Sequence, residues 1–209
     1  MAVVRFAVMF GTGPVHDEAY YWSWSQRLDF GYYDQPFLIG WLLWPFVTVL
    51  GDSAWVLRLV ATALTFMTSV FLALTLRALS TPSRRVANEP GFALLVVTSP
   101  VLWGVGLLYV HDTAMLCFLS LGLWLGAEAL IRAPGRDSRG WWLGAGLALA
   151  LAFSAKVSAA LWIAGLGLGV LAHPIGWAHL RRIGPWAATA MIAGTVGLFL
   201  LWNGLNGWV

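Results

Sequence analysis

Charge is scarce in this chain of 209 residues: Asp, Glu, Lys and Arg together make up 10%, against 60% hydrophobic residues. An average soluble domain carries roughly 25% charged residues, so a water-soluble globule is excluded. The mean hydropathy of +0.78 points the same way. Cysteine is almost absent. Cys117, the single one, sits in an apolar run, so no intramolecular disulfide can form and the redox compartment is not encoded. There is no Gly-rich phosphate loop either, because the 23 glycines lie mostly inside apolar runs, where small residues let helices approach. That absence argues against an enzyme of ATP or nucleotide sugars. His16 and His111 lack the HExxH spacing of a zinc helix, and each adjoins an acid that accounts for its polarity.

What is present is a series of apolar runs about twenty residues long, the length of a membrane-spanning helix; a barrel would show alternating strands of about ten. The expected fold is all-α, a polytopic bundle of about six to seven spanning helices in a single membrane-embedded domain over residues 1–209. Met1 to Val15 offers only about ten apolar residues, short of the roughly twenty needed, and shows no small-residue cleavage site. The expectation there is a tilted, incomplete helix or a start that lacks some residues. Asp17 to Leu28 reads as an amphipathic helix lying on the membrane, and Pro36 to Leu50, interrupted by Pro45, as re-entrant or interfacial.

Ser53 to Leu79, Gly91 to Val110, Thr113 to Ile131 and Pro185 to Trp202 each read as a crossing, with a tight turn at His111-Asp112-Thr113. As one helix, Trp141 to Ala172 would measure about 48 Å against a hydrocarbon core of about 30 Å. Two shorter helices hinged near Ser154-Ala155-Lys156 fit better. With that hinge, Arg77, Arg84, Arg85, Arg132, Arg136, Arg139, Arg181 and Arg182 fall at one set of helix ends, and Asp17, Glu18, Asp29, Asp34, Asp52 and Asp112 at the other. The positive-inside rule makes the first set cytoplasmic and the acids extracytoplasmic. Tryptophan is abundant, 14 residues, and many lie near the expected membrane boundaries, as an aromatic belt requires.

A stretch too polar to cross a bilayer, Asp17-Glu18-Ala19-Tyr20-Tyr21-Trp22, is followed by Gly31-Tyr32-Tyr33-Asp34-Gln35-Pro36 and by Gly51-Asp52-Ser53 leading to Arg58-Leu59. At these residues the chain resembles the GT-C glycosyltransferases, in the bacterial branch related to protein O-mannosyltransferases, aminoarabinose transferases and rhizobial-type galacturonosyl transferases. Asp112-Thr113 resembles that family's second acidic loop, Ala155-Lys156 its later Lys-containing turn, and Leu201-Trp202-Asn203 with Gly207-Trp208-Val209 is also similar. Such proteins usually continue well beyond this length, so the expectation is the N-terminal part of the fold. Two features differ: Tyr20 stands where aminoarabinose transferases tend to carry Arg, and Gln35-Pro36-Phe37 replaces Lys-Pro-Pro.

The resemblance implies a multi-pass cell-membrane transferase with an extracytoplasmic active face. Its implied partners are a polyprenyl-phosphate-linked sugar donor, a lipid, glycan or protein acceptor and the bilayer, with no nucleic acid. Asp17 would be the base that deprotonates the acceptor hydroxyl; alternatively Asp17 and Glu18 only cap the interfacial helix, an effect of about 0.3–1 kcal/mol. Glu18 and Asp34 are hard oxygen ligands that could gather a divalent cation at the departing phosphate, or be solvated loop acids. Asp112 is a second catalytic acid or the N-cap before Thr113. Arg58 and Lys156 are candidate phosphate partners, as substrate-binding cations, while Arg27 is better read as snorkelling toward head groups. Tyr20, Tyr21, Trp22, Trp24, Tyr32 and Tyr33 of the first loop read as a membrane anchor in preference to a sugar platform. The rivals in other classes are a transporter or flippase of lipid-linked intermediates, which usually holds its charges near the bilayer midplane, and an inactive truncated homologue.

Overall fold

Residues 2–80, 99 and 106–208 are described by the computed structural model of the protein, with side chains from residue 7 onward. Among the described residues nine α-helices follow one another and no strand forms. They are α1 (Ala2–Gly11), α2 (His16–Ser25), α3 (Leu38–Leu50), α4 (Ala54–Leu79), α5 (His111–Leu130), α6 (Arg136–Ala155), α7 (Ala159–Ala172), α8 (Pro174–Leu180) and α9 (Ile183–Leu205). The expected loop over 81–90 and most of the expected crossing over 91–110 lie outside the described residues.

Three helices, α4, α5 and α9, are long and apolar enough to cross a membrane, and α7 with α8 makes a fourth if that pair, bent by 99°, counts as one span. The 13 residues of α3 rise only about 20 Å, so this helix is too short to cross, as its interfacial reading requires. Pro45 lies inside it without ending it.

The long run from Trp141 breaks where length demanded. α6 stops at Ala155, Lys156 is extended with φ −155° and ψ 128°, and α7 starts at Ala159. In the bundle α6 packs between α5 and α9, and α4 packs on α5. Small residues set the spacing: a Cβ added at Gly146 on α6 would come within 2.5 Å of the Ala188 Cα on α9, so only glycine permits this backbone approach. Large side chains such as Leu161, Trp162 and Leu168 on α7 stay exposed. That is expected where lipid, not water, is the solvent.

Contacts sort the helix ends into two sets. Lys156, just beyond α6, reaches Asp112 at the start of α5 with Nζ 2.7 Å from Oδ1. Trp202 near the end of α9 donates to Asp29 Oδ1 at 2.8 Å. At the opposite ends Arg132 pairs with Glu128 and lies 4.1 Å from the Trp141 ring centroid, and Trp142 donates to His179 Nδ1 at 3.2 Å. Asp29, Asp112 and Lys156 thus lie at one end of the bundle, and Glu128, Arg132 and His179 at the other. The largest buried cluster lies at the acidic end, where Tyr21, Trp24, Ile39, Leu43, Val56, Leu57 and Tyr109 hold α2 and α3 against α4 and the start of α5.

This arrangement is open to direct measurement. With Cys117 replaced by Ser, a cysteine at position 17 is expected to react with a membrane-impermeant reagent in intact cells, and one at position 136 only after lysis. The reverse pattern would overturn the orientation.

Candidate active site

Residues 31–36 fold back as a tight turn. Gly31 and Pro36 form an isolated antiparallel bridge, and the Tyr32 N–H donates to the Gln35 carbonyl at 2.9 Å. Tyr32 is clamped onto α2, its ring stacked on Trp24 with centroids 4.3 Å apart and planes within 5°, and its hydroxyl donating to the Trp24 carbonyl at 3.0 Å. The turn therefore carries Asp34 beside α2, where it accepts from the Tyr20 hydroxyl at 3.5 Å. Gln35 Oε1 accepts from the Val157 N–H at 3.2 Å. One turn thus touches both the interfacial helix and the hinge between α6 and α7.

A polar chain runs through this junction. The Tyr21 hydroxyl lies 2.6 Å from His111 Nδ1, His111 Nε2 is 3.6 Å from Asp112 Oδ2, and Asp112 Oδ1 is 2.7 Å from Lys156 Nζ. Burial, and after it the charges of Asp17, Asp34 and Asp112, raise the pKa of Tyr21 above its ordinary value. The phenol is therefore protonated: it donates to Nδ1 when the imidazole proton is on Nε2, facing Asp112, and accepts from Nδ1 in the other tautomer. Because the fold favours the neutral phenol, its stabilising contribution is complete below the ordinary tyrosine pKa and is lost as pH rises through the raised one. Three acids far apart in sequence are close enough to act on one phenol.

Asp17 and Glu18, adjacent in sequence, have opposite surroundings. The Asp17 side chain is 65% exposed, and among the described residues its ionic neighbour is His16 at 3.6 Å. Glu18 is fully buried and bound in two places by Arg58, itself buried: Nε donates to Oε1 at 3.1 Å and Nη2 to Oε2 at 2.8 Å. The Val15 N–H donates to Oε2 at 3.1 Å and the Tyr109 N–H to Oε1 at 3.3 Å. Glu18 is thus the residue that reaches back to cap α2, and Asp17 makes no capping bond. The remaining Arg58 donors go to the carbonyls of Val8, Thr12 and Gly13 and to the Thr12 hydroxyl.

Of the residues expected at the site, Asp17, Asp34, Asp112 and Lys156 come together around Tyr21 and His111. Glu18 and Arg58 instead pair with each other inside the protein. Both Glu18 oxygens are engaged, and among the described residues no group of three His, Cys, Asp or Glu converges as a metal ion would require. Glu18, held by Arg58 and two backbone N–H groups, is not free to join Asp34 as a cation ligand. Sequence reading missed Tyr21 and His111. The available signal was Tyr21 four residues after Asp17, which puts both on one helix face; nothing in the sequence linked Tyr21 to His111, 90 positions away.

Together these features define a multi-helix membrane protein with an acid-lined junction, backed by one lysine, at one end of its bundle. Residues 34–202 match the model of the dolichyl-phosphate-mannose-protein mannosyltransferase family, of the GT-C glycosyltransferase type, and the chain belongs to that family. It is 27% identical over 192 residues to the lipid A galacturonosyltransferase RgtD of Rhizobium johnstonii, an alignment that covers 91% of this chain and 38% of that protein. The chain therefore spans well under half the length of this relative. No solved structure matches. Asp34, Arg58, Asp112 and Lys156 fall within the family match, and Asp17 and Glu18 precede it.

Proposed function

We propose that the chain belongs to a cell-membrane transferase that moves a sugar from a polyprenyl-phosphate donor to an acceptor on the extracytoplasmic face. The reading is carried by the convergence of Asp17, Asp34, Asp112 and Lys156 on the Tyr21–His111 pair. The exposed Asp17 carboxylate takes the proton of the acceptor hydroxyl as that oxygen forms its bond to the anomeric carbon. The bond from that carbon to the lipid phosphate breaks, and the phosphate leaves with the electron pair. Lys156, a quarter exposed, neutralises the leaving charge. Asp112 is the acid that holds Lys156 in place, and it lies beside His111, which the Tyr21 hydroxyl contacts.

Glu18 and Arg58 serve this site by fixing α2, and with it Asp17, against α4. The name of the rhizobial relative favours a glycolipid acceptor and an acidic sugar. A glycan or protein acceptor would meet the same base.

The donor class is the part most easily tested. Purified full-length protein is expected to transfer sugar from a polyprenyl-phosphate-linked donor and not from a nucleotide sugar. Transfer from a nucleotide sugar with no lipid present would defeat the proposal.

A further inference from the structure

A separate cleft of about 620 Å³ opens at the far end of α2, between the residues that follow this helix and the end of α9. Its volume is within the range of small-molecule sites, about 300–1,000 Å³. From Asp17 to this end of α2 is roughly 15 Å along the helix, so the cleft is distinct from the acid junction.

Three tryptophans line it, Trp22, Trp24 and Trp202, and Trp22 and Trp202 have their N–H groups already spent. Trp22 Nε1 donates to Asp52 Oδ1 and Trp202 Nε1 to Asp29 Oδ1, each at 2.8 Å. A tryptophan acting as an interfacial anchor keeps its N–H for head groups and water; these two are pinned as ring surfaces. Trp202 is further fixed because it lies on Gly31, where an added Cβ would come within 2.4 Å of the indole ring.

Beside the rings, Arg27 lines the same cleft, and its guanidinium makes no hydrogen bond or ion pair with any described residue. This holds although Asp29 is two positions away: one Asp29 oxygen is taken by Trp202 and by the Phe30 N–H at 2.6 Å, and the other accepts no hydrogen bond from a described residue. The cleft thus joins flat apolar ring surfaces, a free hydroxyl acceptor on Asp29 and an unpaired planar cation.

We propose that this cleft binds a sugar ring bearing an anionic group, with the indoles against the C–H face of the ring, Asp29 accepting from a hydroxyl and Arg27 paired with the anion. The inference goes beyond the transferase reading and rests on the cleft's own lining. The anionic sugar is either soluble or the head group of a lipid, two sources of one chemistry.

The test uses full-length protein in nanodiscs. Equilibrium dialysis with labelled glucose 6-phosphate is run beside glucose and inorganic phosphate. A parallel arm puts a monophosphorylated glycolipid in the nanodisc bilayer and measures its cross-linking to the cleft. Wild-type protein is expected to bind glucose 6-phosphate more tightly than either fragment. Arg27→Gln should weaken binding about tenfold or more, and Trp202→Leu about three- to tenfold. The Arg27 guanidinium makes no hydrogen bond or ion pair with a described residue, so Arg27→Gln is expected to fold and to read binding.

Binding by the glycolipid only, with the same dependence on Arg27, would support the site and identify its source as the membrane. Equal binding of glucose 6-phosphate and inorganic phosphate, equal binding by wild type and Arg27→Gln, or no binding in either arm would overturn it. Asp17→Asn should leave probe binding unchanged. Failure of the cleft therefore does not touch the transferase reading, and failure of transfer does not touch the cleft.

Discussion

Asp17→Asn is expected to lower sugar transfer by about 10²–10⁴-fold in the full-length enzyme while leaving folding and membrane insertion intact. Asn keeps the size and most of the hydrogen-bonding capacity of Asp but cannot accept the proton. Were Asp17 a cap, Asn would be among the best replacements and little would change. The capping bond at the start of α2 comes from Glu18, however, and the Asp17 carboxylate is largely open to solvent. The measurement is the initial rate of transfer from the lipid-linked donor, with thermal unfolding in detergent run in parallel. Near-normal transfer by a folded Asp17→Asn protein would remove the assignment. Asp52→Asn is the control, because Asp52 is taken up by Trp22 and Gln26 on the other side of α2.

The second large effect concerns stability. Arg58→Met should destabilise the protein by about 3–5 kcal/mol, because it leaves Glu18 charged and buried without its partner. Truncating one member of a buried pair is far more damaging than never having built the pair. The double variant Arg58→Met, Glu18→Gln should therefore recover a substantial part of the loss. Thermal unfolding of the purified variants, with recovery of monodisperse protein as a second reading, distinguishes the cases. If Arg58→Met unfolds like wild type but loses transfer, Arg58 belongs to the substrate and not to the frame.

Helix placement was legible because the bilayer sets a length: Ser53 to Leu79 could only be a crossing, and 32 residues from Trp141 could not be a single one. The break at Lys156 followed from that length and from where Arg181 and Arg182 had to lie. The roles of Asp17 and Glu18 were not separable, since neighbouring carboxylates look alike in a sequence. What separates them is Arg58, 40 positions on, and the Tyr109 N–H, 91 positions on. His111 was dismissed for want of a metal-ligand spacing, and its actual partner is a tyrosine that the aromatic belt already explained. The cleft beside Arg27 was not legible, because one of its walls is Trp202, far along the chain. Periodicity reports which face of a helix is apolar; it carries no information about which distant helix supplies the other wall.

The Glu18–Arg58 knot has a consequence for the order of synthesis. It joins the end of α1, the start of α2, the first turns of α4 and the backbone at Tyr109. At about 5–20 residues per second, the 40 residues between Glu18 and Arg58 take roughly two to eight seconds to emerge. Throughout that interval the carboxylate has no guanidinium, and burying it would cost several kcal/mol. The first segment is thus held out of its final seat until α4 arrives, so docking of α1 and α2 is timed by translation itself.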